Sequence, residues 1–286
     1  MGRHRGPSPS GEGPRHSRGE PAGETVVTSR KNPLIRDLRA LRQSSARRTA
    51  RCIVEGWRFL DTAAACGAEI TLVIYTPAAA AHPLGEEMRR RLQAMGVRLV
   101  LVSPYVFEPL TQLEAPQGVL GVVRRPPDAP PTLLGDPHAL LAVLDGIQDP
   151  GNVGAILRTA AAAGATGAVV VGSAADPYGP KAIRASAGSV FRLPLLTFAS
   201  ADEAAGAFRR AGVHVLIADP RGGRLFSEIS YERPLAVVFG SEGAGPAPAW
   251  EQYGTRIRLP MAGAVESLGV AAAAAVLLYR AGATAE

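Results

Sequence analysis

The chain has 286 residues, 47% of them hydrophobic, which is enough apolar material for two domains or one large one. Its only cysteines, Cys52 and Cys66, exclude a disulfide framework and a four-cysteine zinc site, and they fit a reducing cytosol. The longest apolar run, residues 270–279, is half alanine and too short to span a bilayer, and the arginine-containing N-terminus lacks the apolar segment of a secretory signal.

Positive charge is concentrated at the beginning of the chain. Residues 1–51 hold twelve Lys and Arg against four Asp and Glu, whereas the whole chain has a net charge of +6, so the remainder is close to neutral. A basic arm on a neutral body indicates a polyanionic partner, and RNA is the leading candidate. A solvated tail that only improves solubility is the alternative. Arg dominates the basic residues and suits phosphate and base contacts, although codon bias gives the same excess.

Residues 1–28 are rich in Gly, Pro, Ser, Arg and Glu and have almost no large apolar residues, which predicts a disordered basic arm. An amphipathic helix follows, because Leu34, Leu38 and Leu41 recur at helical spacing with arginines on the outer face between them. The candidate RNA-binding residues lie on this helix and in the segment after it: Arg36, Arg39, Arg42, Arg47 and Arg48.

The pattern up to residue 125 alternates short strands and helices. This alternation predicts a compact α/β domain over residues 29–125. Strands are predicted over 52–54, 70–75, 97–102 and 119–123, and helices over 57–66, 86–95 and 104–113. Residues 126–138 form a predicted linker, because four prolines fall between 124 and 131 and would disrupt a central strand or a helix interior.

Residues 139–286 are predicted to form a second domain with a parallel sheet covered by helices on both faces. The apolar run 139–144 is typical of a strand buried on both faces, and the helix that starts at Asn152 is predicted to end before Gly164, a common C′ residue. Further strands are predicted over 169–172, 193–198, 213–218, 237–240 and 256–259, and further helices over 180–187 and 201–211 and in the alanine-rich C-terminal segment.

Two loops of small residues follow the last two predicted strands. Gly240, Gly243 and Gly245 leave the first strand end without side chains, so a ligand can approach the backbone there. Ser267, after the second loop, is placed to cap the terminal helix. Two such loops at neighbouring strand ends predict a ligand crevice, with ordinary surface turns as the alternative.

Three segments of this second domain resemble known motifs. The sequences FGSEGAG at 239–245 and LPMAGAVESL at 259–268 look like the second and third motifs of the SpoU/TrmH family of RNA 2′-O-methyltransferases. The family's first motif, an Asn with an Arg six residues later, is matched by DPGNVGAILR at 149–158. The three motifs occur in the family's order over about residues 140–280. One departure is Gly269, where the family usually has Asn.

The resemblance implies a fold in which the C-terminal helix threads through a loop as a deep trefoil knot, a known exception to unknotted chains. It also implies S-adenosylmethionine as the methyl donor, whose activated sulfonium leaves the protein mainly to align the methyl carbon with the 2′-oxygen. The first domain resembles, more weakly, the small ribosomal-protein-like RNA-binding domain of many family members. No metal is expected, because no cluster of metal-ligating residues with suitable spacing occurs.

The resemblance also assigns individual residues. Asn152 and Arg158 match positions at the reacting ribose, and Glu242 and Ser267 match positions near the substrate. A guanidinium group stays protonated in proteins and is therefore a poor general base. Arg158 is instead expected to orient the ribose and phosphate and to stabilise alkoxide charge. The backbone positions that hold the cofactor are matched by Gly240, Leu259 and Leu268.

The residues alone allow plainer roles. Asn152 can be the N-cap of its helix, Arg158 a solvent-facing arginine and Glu242 an exposed loop carboxylate, while Leu259 and Leu268 can pack in the core.

The sequence therefore predicts a cytoplasmic, homodimeric RNA ribose 2′-O-methyltransferase. Ribosomal RNA is the preferred substrate, because a separate RNA-binding domain precedes the catalytic one, and transfer RNA is the alternative. A non-catalytic RNA-binding protein that keeps the fold is a second hypothesis, supported only by Gly269. Dinucleotide-binding, P-loop and α/β-hydrolase proteins are disfavoured, because their glycine and serine motifs are absent.

Overall fold

Two β-sheets organise the chain, and helices pack against both. The computed structural model describes residues 26–44, 49–263 and 268–283. Most of the predicted basic arm, along with Arg47, Arg48 and Ser267, lies outside these ranges.

The smaller sheet has four strands in the order β1-β4-β2-β3. Strand β4 runs antiparallel to both β1 and β2, whereas β2 and β3 are parallel. The strands are β1 (Arg51–Glu55), β2 (Ile70–Tyr75), β3 (Arg98–Leu101) and β4 (Val119–Arg124). The associated helices are α1 (Pro33–Gln43), α2 (Trp57–Ala65), α3 (Pro77–Ala80), α4 (Pro83–Ala94) and α5 (Pro104–Phe107).

Capping residues explain where these helices begin. In α1 the Asn32 side chain accepts a hydrogen bond from the Leu34 amide, and a proline occupies the first helical position. The buried residues of α1 are Ile35, Leu38 and Leu41, and the half-buried Leu34 packs against the same core, so the predicted apolar face is confirmed. Helix α4 begins three residues before its predicted start, because His82 accepts a hydrogen bond from the Leu84 amide.

The larger sheet has seven strands in the order β7-β6-β5-β10-β8-β11-β9, and every pairing is parallel, as predicted. The short strand β9 was missed, because two residues are too few to show a period. The strands are β5 (Leu140–Asp145), β6 (Gly167–Val171), β7 (Leu195–Phe198), β8 (His214–Ala218), β9 (Arg224–Leu225), β10 (Leu235–Gly240) and β11 (Gly254–Arg258). The helices are α6 (Pro150–Ala162), α7 (Pro180–Ala185), α8 (Ala201–Ala211) and α9 (Val270–Gly282).

Alternate residues of β5 enter two different cores. Leu140, Ala142 and Leu144 pack on the side of α6, α7 and α9, whereas Leu141 and Val143 pack on the side of α8. The first of these cores also contains buried residues of β1 and α2, so the two sheets share one continuous apolar core. Burial of Leu134 and a hydrogen bond from the Ala129 amide to the Leu195 carbonyl (2.6 Å) hold the predicted linker against the larger sheet.

The starts of α6 and α9 differ from those predicted. The N-cap of α6 is Asp149, whose side chain accepts a hydrogen bond from the Asn152 amide, so the prediction that Asn152 is the N-cap was wrong. The N-cap position of α9 is occupied by Gly269, while the predicted cap, Ser267, lies outside the described residues. Gly164 follows α6 with φ +76°, as its predicted role at the helix end requires.

Candidate functional site

A crevice of about 200 Å³ lies at the carboxyl ends of β8, β10 and β11. Parallel strands bring these ends to one edge of the sheet, which is where α/β proteins usually bind ligands. Gly240, Leu259 and Leu268, the three residues predicted to hold a cofactor, all line this crevice. Its remaining walls are partly apolar, with Phe239 and Leu277 buried behind it. A ligand with an apolar body can therefore be enclosed here.

The structural reason for a glycine at position 240 differs from the one inferred from sequence. A Cβ placed on Gly240 would lie 2.0 Å from the Pro246 nitrogen and 2.1 Å from the Gly245 carbonyl carbon. The loop after β10 thus folds back onto its own strand, and only glycine permits that closure. The residue lines the crevice as expected, but the close approach that requires glycine is made by the loop itself.

Asn152 and Glu242 meet at the edge of the crevice. Asn152 Nδ2 donates a hydrogen bond to Glu242 Oε1, which joins two motifs separated by 90 residues in the chain. Asp149 anchors Asn152 from the other side, because its Oδ1 accepts the Asn152 amide at 2.9 Å. Hydrogen bonds lower the pKa of Asp149: the one from Lys181 Nζ (2.8 Å) has the largest effect, and the one from the Asn152 amide has the next largest. The start of α6 is therefore held by an ionised carboxylate.

Within one chain, Arg158 lies apart from Asn152 and Glu242. It is exposed and does not line the crevice, and in the part of the chain that the structure describes it makes no hydrogen bond or ion pair. Six helical residues place it about 9 Å along α6 from Asn152. The structure thus brings two of the four predicted catalytic residues together, leaves Arg158 apart and does not describe Ser267.

A buried aspartate that the sequence reasoning missed holds the loop after β10. Asp145, at the end of β5, is 8% exposed and pairs in register with Gly240. Its Oδ2 accepts hydrogen bonds from the Ala247 amide (2.7 Å) and from Trp250 Nε1 (3.0 Å). The available signal was an acidic residue that ends a wholly apolar strand, since such a buried carboxylate needs partners.

Asp219, which follows β8, is a second such carboxylate and was also missed. It is 3% exposed, lines the crevice and accepts hydrogen bonds from Arg221 and Arg256. Burial alone would raise the pKa of Asp219, but the hydrogen bonds from Arg221 and the charge of Arg256 outweigh burial and lower it. Asp219 therefore remains a carboxylate that holds two arginines, of which Arg221 lines the crevice.

The predicted RNA-binding arginines of α1 have different environments. Arg36 is exposed and Arg39 partly exposed, as an outer basic face requires. Arg42 is half-buried, and its Nη1 is buried without a hydrogen-bond partner among the described residues. Burial lowers the pKa of Arg42, whose charge interacts with Glu55, so its predicted position on the outer face was wrong. Arg47 and Arg48 lie outside the described residues.

The described residues offer neither a metal site nor a membrane-spanning helix. Within residues 26–44, 49–263 and 268–283, no group of three or more His, Cys, Asp or Glu is arranged to hold a metal ion. Nor does any helix in these ranges combine the length and apolar character needed to cross a membrane.

Comparison with known proteins identifies the family. The model of the SpoU rRNA Methylase family matches residues 139–279, and that of the MRM3-like substrate binding domain matches residues 32–121. An uncharacterized tRNA/rRNA methyltransferase of Synechocystis is 36% identical over 89% of this chain and 92% of its own length. The chain belongs to the SpoU rRNA methylase family. The resemblance drawn from the three motifs is thereby confirmed.

Two further proteins match this chain over nearly its whole length. The 23S rRNA (uridine(2479)-2'-O)-methyltransferase of Streptomyces viridochromogenes is 32% identical over 93% of this chain and 94% of its own length. The AdoMet-bound rRNA methyltransferase from Sinorhizobium meliloti superposes with a TM-score of 0.80 at 30% identity, covering 91% of this chain and 98% of its own. Both sheets therefore belong to an arrangement that occurs in solved SpoU methyltransferases.

Proposed function

We propose that this protein transfers a methyl group from S-adenosylmethionine to a ribose 2′-hydroxyl of ribosomal RNA. Support comes from the SpoU relatives, whose names specify 2′-O-methylation of 23S rRNA, and from a structural neighbour that binds AdoMet. The observation that carries the proposal is the hydrogen bond between Asn152 and Glu242, because it unites the first two motifs beside a crevice lined by the third. Transfer RNA remains the alternative substrate.

The crevice suits the methyl donor. Gly240, Leu259 and Leu268 would hold the cofactor through their backbone groups and the apolar wall behind them. When bound, the donor supplies an activated methyl group, so catalysis consists mainly of alignment. Asn152 and Glu242 would then orient the ribose, and Ser267 would complete the substrate contacts. The exposed Arg36 and the partly exposed Arg39 would supply affinity for the phosphate backbone.

We infer that the active form is a homodimer, and the position of Arg158 supports this inference. Helix α9 packs against α6, and its outer side exposes Val276 (41%) and Tyr279 (55%). Arg158 is exposed on the neighbouring helix of the same layer. A second copy seated on α9 would adjoin Arg158, which could then reach a ribose held beside the partner's crevice. There Arg158 would bind the ribose and phosphate and stabilise the developing alkoxide.

The trefoil knot and the cytoplasmic location are part of the same proposal. Helix α9 follows the outlying strand β11 but packs against α6, β5 and β10 at the centre of the sheet. This return to the centre supports a chain end that passes through a loop. Ribosomal RNA as substrate and two free cysteines support the cytoplasm.

The test is transfer of tritium from labelled S-adenosylmethionine to RNA. We expect wild-type protein to label ribosomal RNA but not transfer RNA, and Arg158→Ala to lower kcat about a hundredfold or more, the scale for one positioned catalytic group. Arg158→Lys should also lower kcat, because the point charge of an ammonium group does not reproduce the planar, forked guanidinium. Arg210→Ala, which removes an exposed arginine from α8, should leave kcat unchanged. Wild-type protein that binds RNA without transferring label would favour the non-catalytic alternative.

A further inference from the structure

Two of the residues that line the crevice are arginines. Among the described residues that line it, the charged ones are Asp219, Arg221, Glu242 and Arg258. Arg258 Nε donates a hydrogen bond to the Gly223 carbonyl (3.2 Å), which holds that side chain toward β9. Arg221 instead lies against the loop after β10. A Cβ built on Gly245 would be 2.7 Å from Arg221 Nη2.

Asp219 fixes the direction of Arg221. Asp219 Oδ1 accepts hydrogen bonds from the Arg221 amide (2.9 Å) and from Nε (3.1 Å), and Oδ2 accepts a longer one from Nη2 (3.4 Å). These bonds occupy one edge of the guanidinium and leave Nη1 and the outer edge available. The Arg221 side chain is 64% exposed although its anchor is buried. A buried carboxylate thus holds an arginine whose second edge is open at the mouth of the crevice.

We propose that Arg221 binds the carboxylate of the methionine tail of S-adenosylmethionine, with Asp219 as its positioning residue. This proposal rests on the cofactor assignment of the proposed function. A carboxylate at this crevice needs a cation, and a pre-oriented guanidinium edge matches its two oxygens. Arg221 contacts Gly245, three residues after Glu242, so the tail and the reacting methyl group would lie along one loop.

Loss of Arg221 should change the cofactor KM and leave kcat nearly constant. Methyl transfer does not alter the carboxylate, so Arg221 would bind substrate, transition state and product equally. Uniform binding of this kind changes the cofactor KM and leaves kcat nearly constant. Arg158, in contrast, is expected to change kcat.

The experiment is calorimetry on the full-length protein with S-adenosylmethionine and with its decarboxylated analogue, which differ only in the carboxylate. We expect wild-type protein to prefer S-adenosylmethionine at least tenfold. Arg221→Ala should lose that preference by binding S-adenosylmethionine at least tenfold more weakly while its affinity for the analogue stays the same. Asp219→Asn should lose part of the preference, and Arg258→Ala, the matched control because Arg258 also lines the crevice, should keep it.

Three outcomes would overturn the proposal. The first is an Arg221→Ala protein that stays folded by circular dichroism and keeps the wild-type preference. The second is a change confined to the KM for RNA, which would assign Arg221 to the RNA backbone instead. The third is a wild-type protein that binds both cofactors equally. Failure of wild-type protein to bind either ligand would instead overturn the cofactor assignment, and this inference with it.

Discussion

In the larger sheet all strands run in one direction, so the loops after β8, β10 and β11 meet at one edge and enclose a crevice. In the smaller sheet β4 runs antiparallel to β1 and β2, and the strand ends are divided between two edges. Asn152 and Glu242 lie at the first of these edges, whereas the described candidate RNA-binding residues, Arg36, Arg39 and Arg42, lie on α1. Under the proposed function, the parallel sheet performs the chemistry and the mixed sheet contributes affinity for RNA.

A loss of ligand affinity of at least tenfold should follow from changing the loop that closes the crevice. One added methyl group in Gly240→Ala would meet backbone atoms at about 2 Å, so the loop that carries Glu242 must move. We expect at least a tenfold loss of S-adenosylhomocysteine affinity by calorimetry. Gly243→Ala is the matched control, because a Cβ there has no neighbour within 4 Å, and it should bind within about twofold of wild type. Normal binding by a well-folded Gly240→Ala protein would show that loop closure does not shape the site.

The same loop shows what could be predicted from sequence. The parallel sheet, its helices and the crevice followed from apolar runs and small-residue loops, because those patterns are local. The roles of Gly240, Asp145 and Asp219 depend on contacts between segments far apart in the chain. A sequence shows that Asp145 ends an apolar strand, but only the fold shows that Ala247 and Trp250 donate to it. For the same reason the environment of Arg42 could not be predicted from helical spacing alone.

The second prediction concerns the affinity that we assign to the smaller sheet. Removing two phosphate contacts by Arg36→Ala combined with Arg39→Ala should reduce the slope of log affinity against log salt by about 0.7–0.9 per contact. Cofactor affinity should stay at the wild-type value. Filter binding to ribosomal RNA at several salt concentrations measures the slope. The charge-matched control is Arg209→Ala with Arg210→Ala on α8, and an equal loss in that control would mean that only total charge matters.

A third prediction concerns Glu55, which lies at the end of β1 in the smaller sheet. Glu55 is 6% exposed, and burial raises its pKa, although a hydrogen bond from Thr111 and the charges of Arg42 and Arg184 oppose that effect. A carboxyl group whose folded pKa exceeds its unfolded value of about 4.3 loses stabilising energy as pH rises through that interval. We therefore expect Glu55→Gln to gain Tm relative to wild type as the pH rises above about 4.3.

Differential scanning calorimetry of the two proteins across that pH range measures the effect, and Glu69→Gln on the exposed surface is the control. The pKa of Glu69 is lowered by its hydrogen bond with Arg124, so the sign of its pH dependence should be opposite. If Glu55→Gln instead loses Tm relative to wild type as the pH rises, attraction to Arg42 and Arg184 outweighs the effect of burial. Glu55 would then stabilise the fold as an ionised carboxylate.

The smallest effect should come from Gly269, the position at which the chain departs from its family. Gly269 is the N-cap of α9 and no side chain caps the helix there, but glycine is among the better residues at that position. Gly269→Asn would add a capping oxygen without a clash, since a Cβ at this site has no neighbour within 4 Å. We expect a gain of a few tenths of a kcal/mol in the free energy of unfolding, with methyl transfer close to wild type. Gly269→Ala, which adds a Cβ but no oxygen, should lose up to about 1 kcal/mol. Because glycine fits an N-cap, its presence gives no reason to expect an inactive protein. An inactive wild type restored only by Gly269→Asn would reverse that conclusion, since the missing side chain would then act on the substrate and not on the helix.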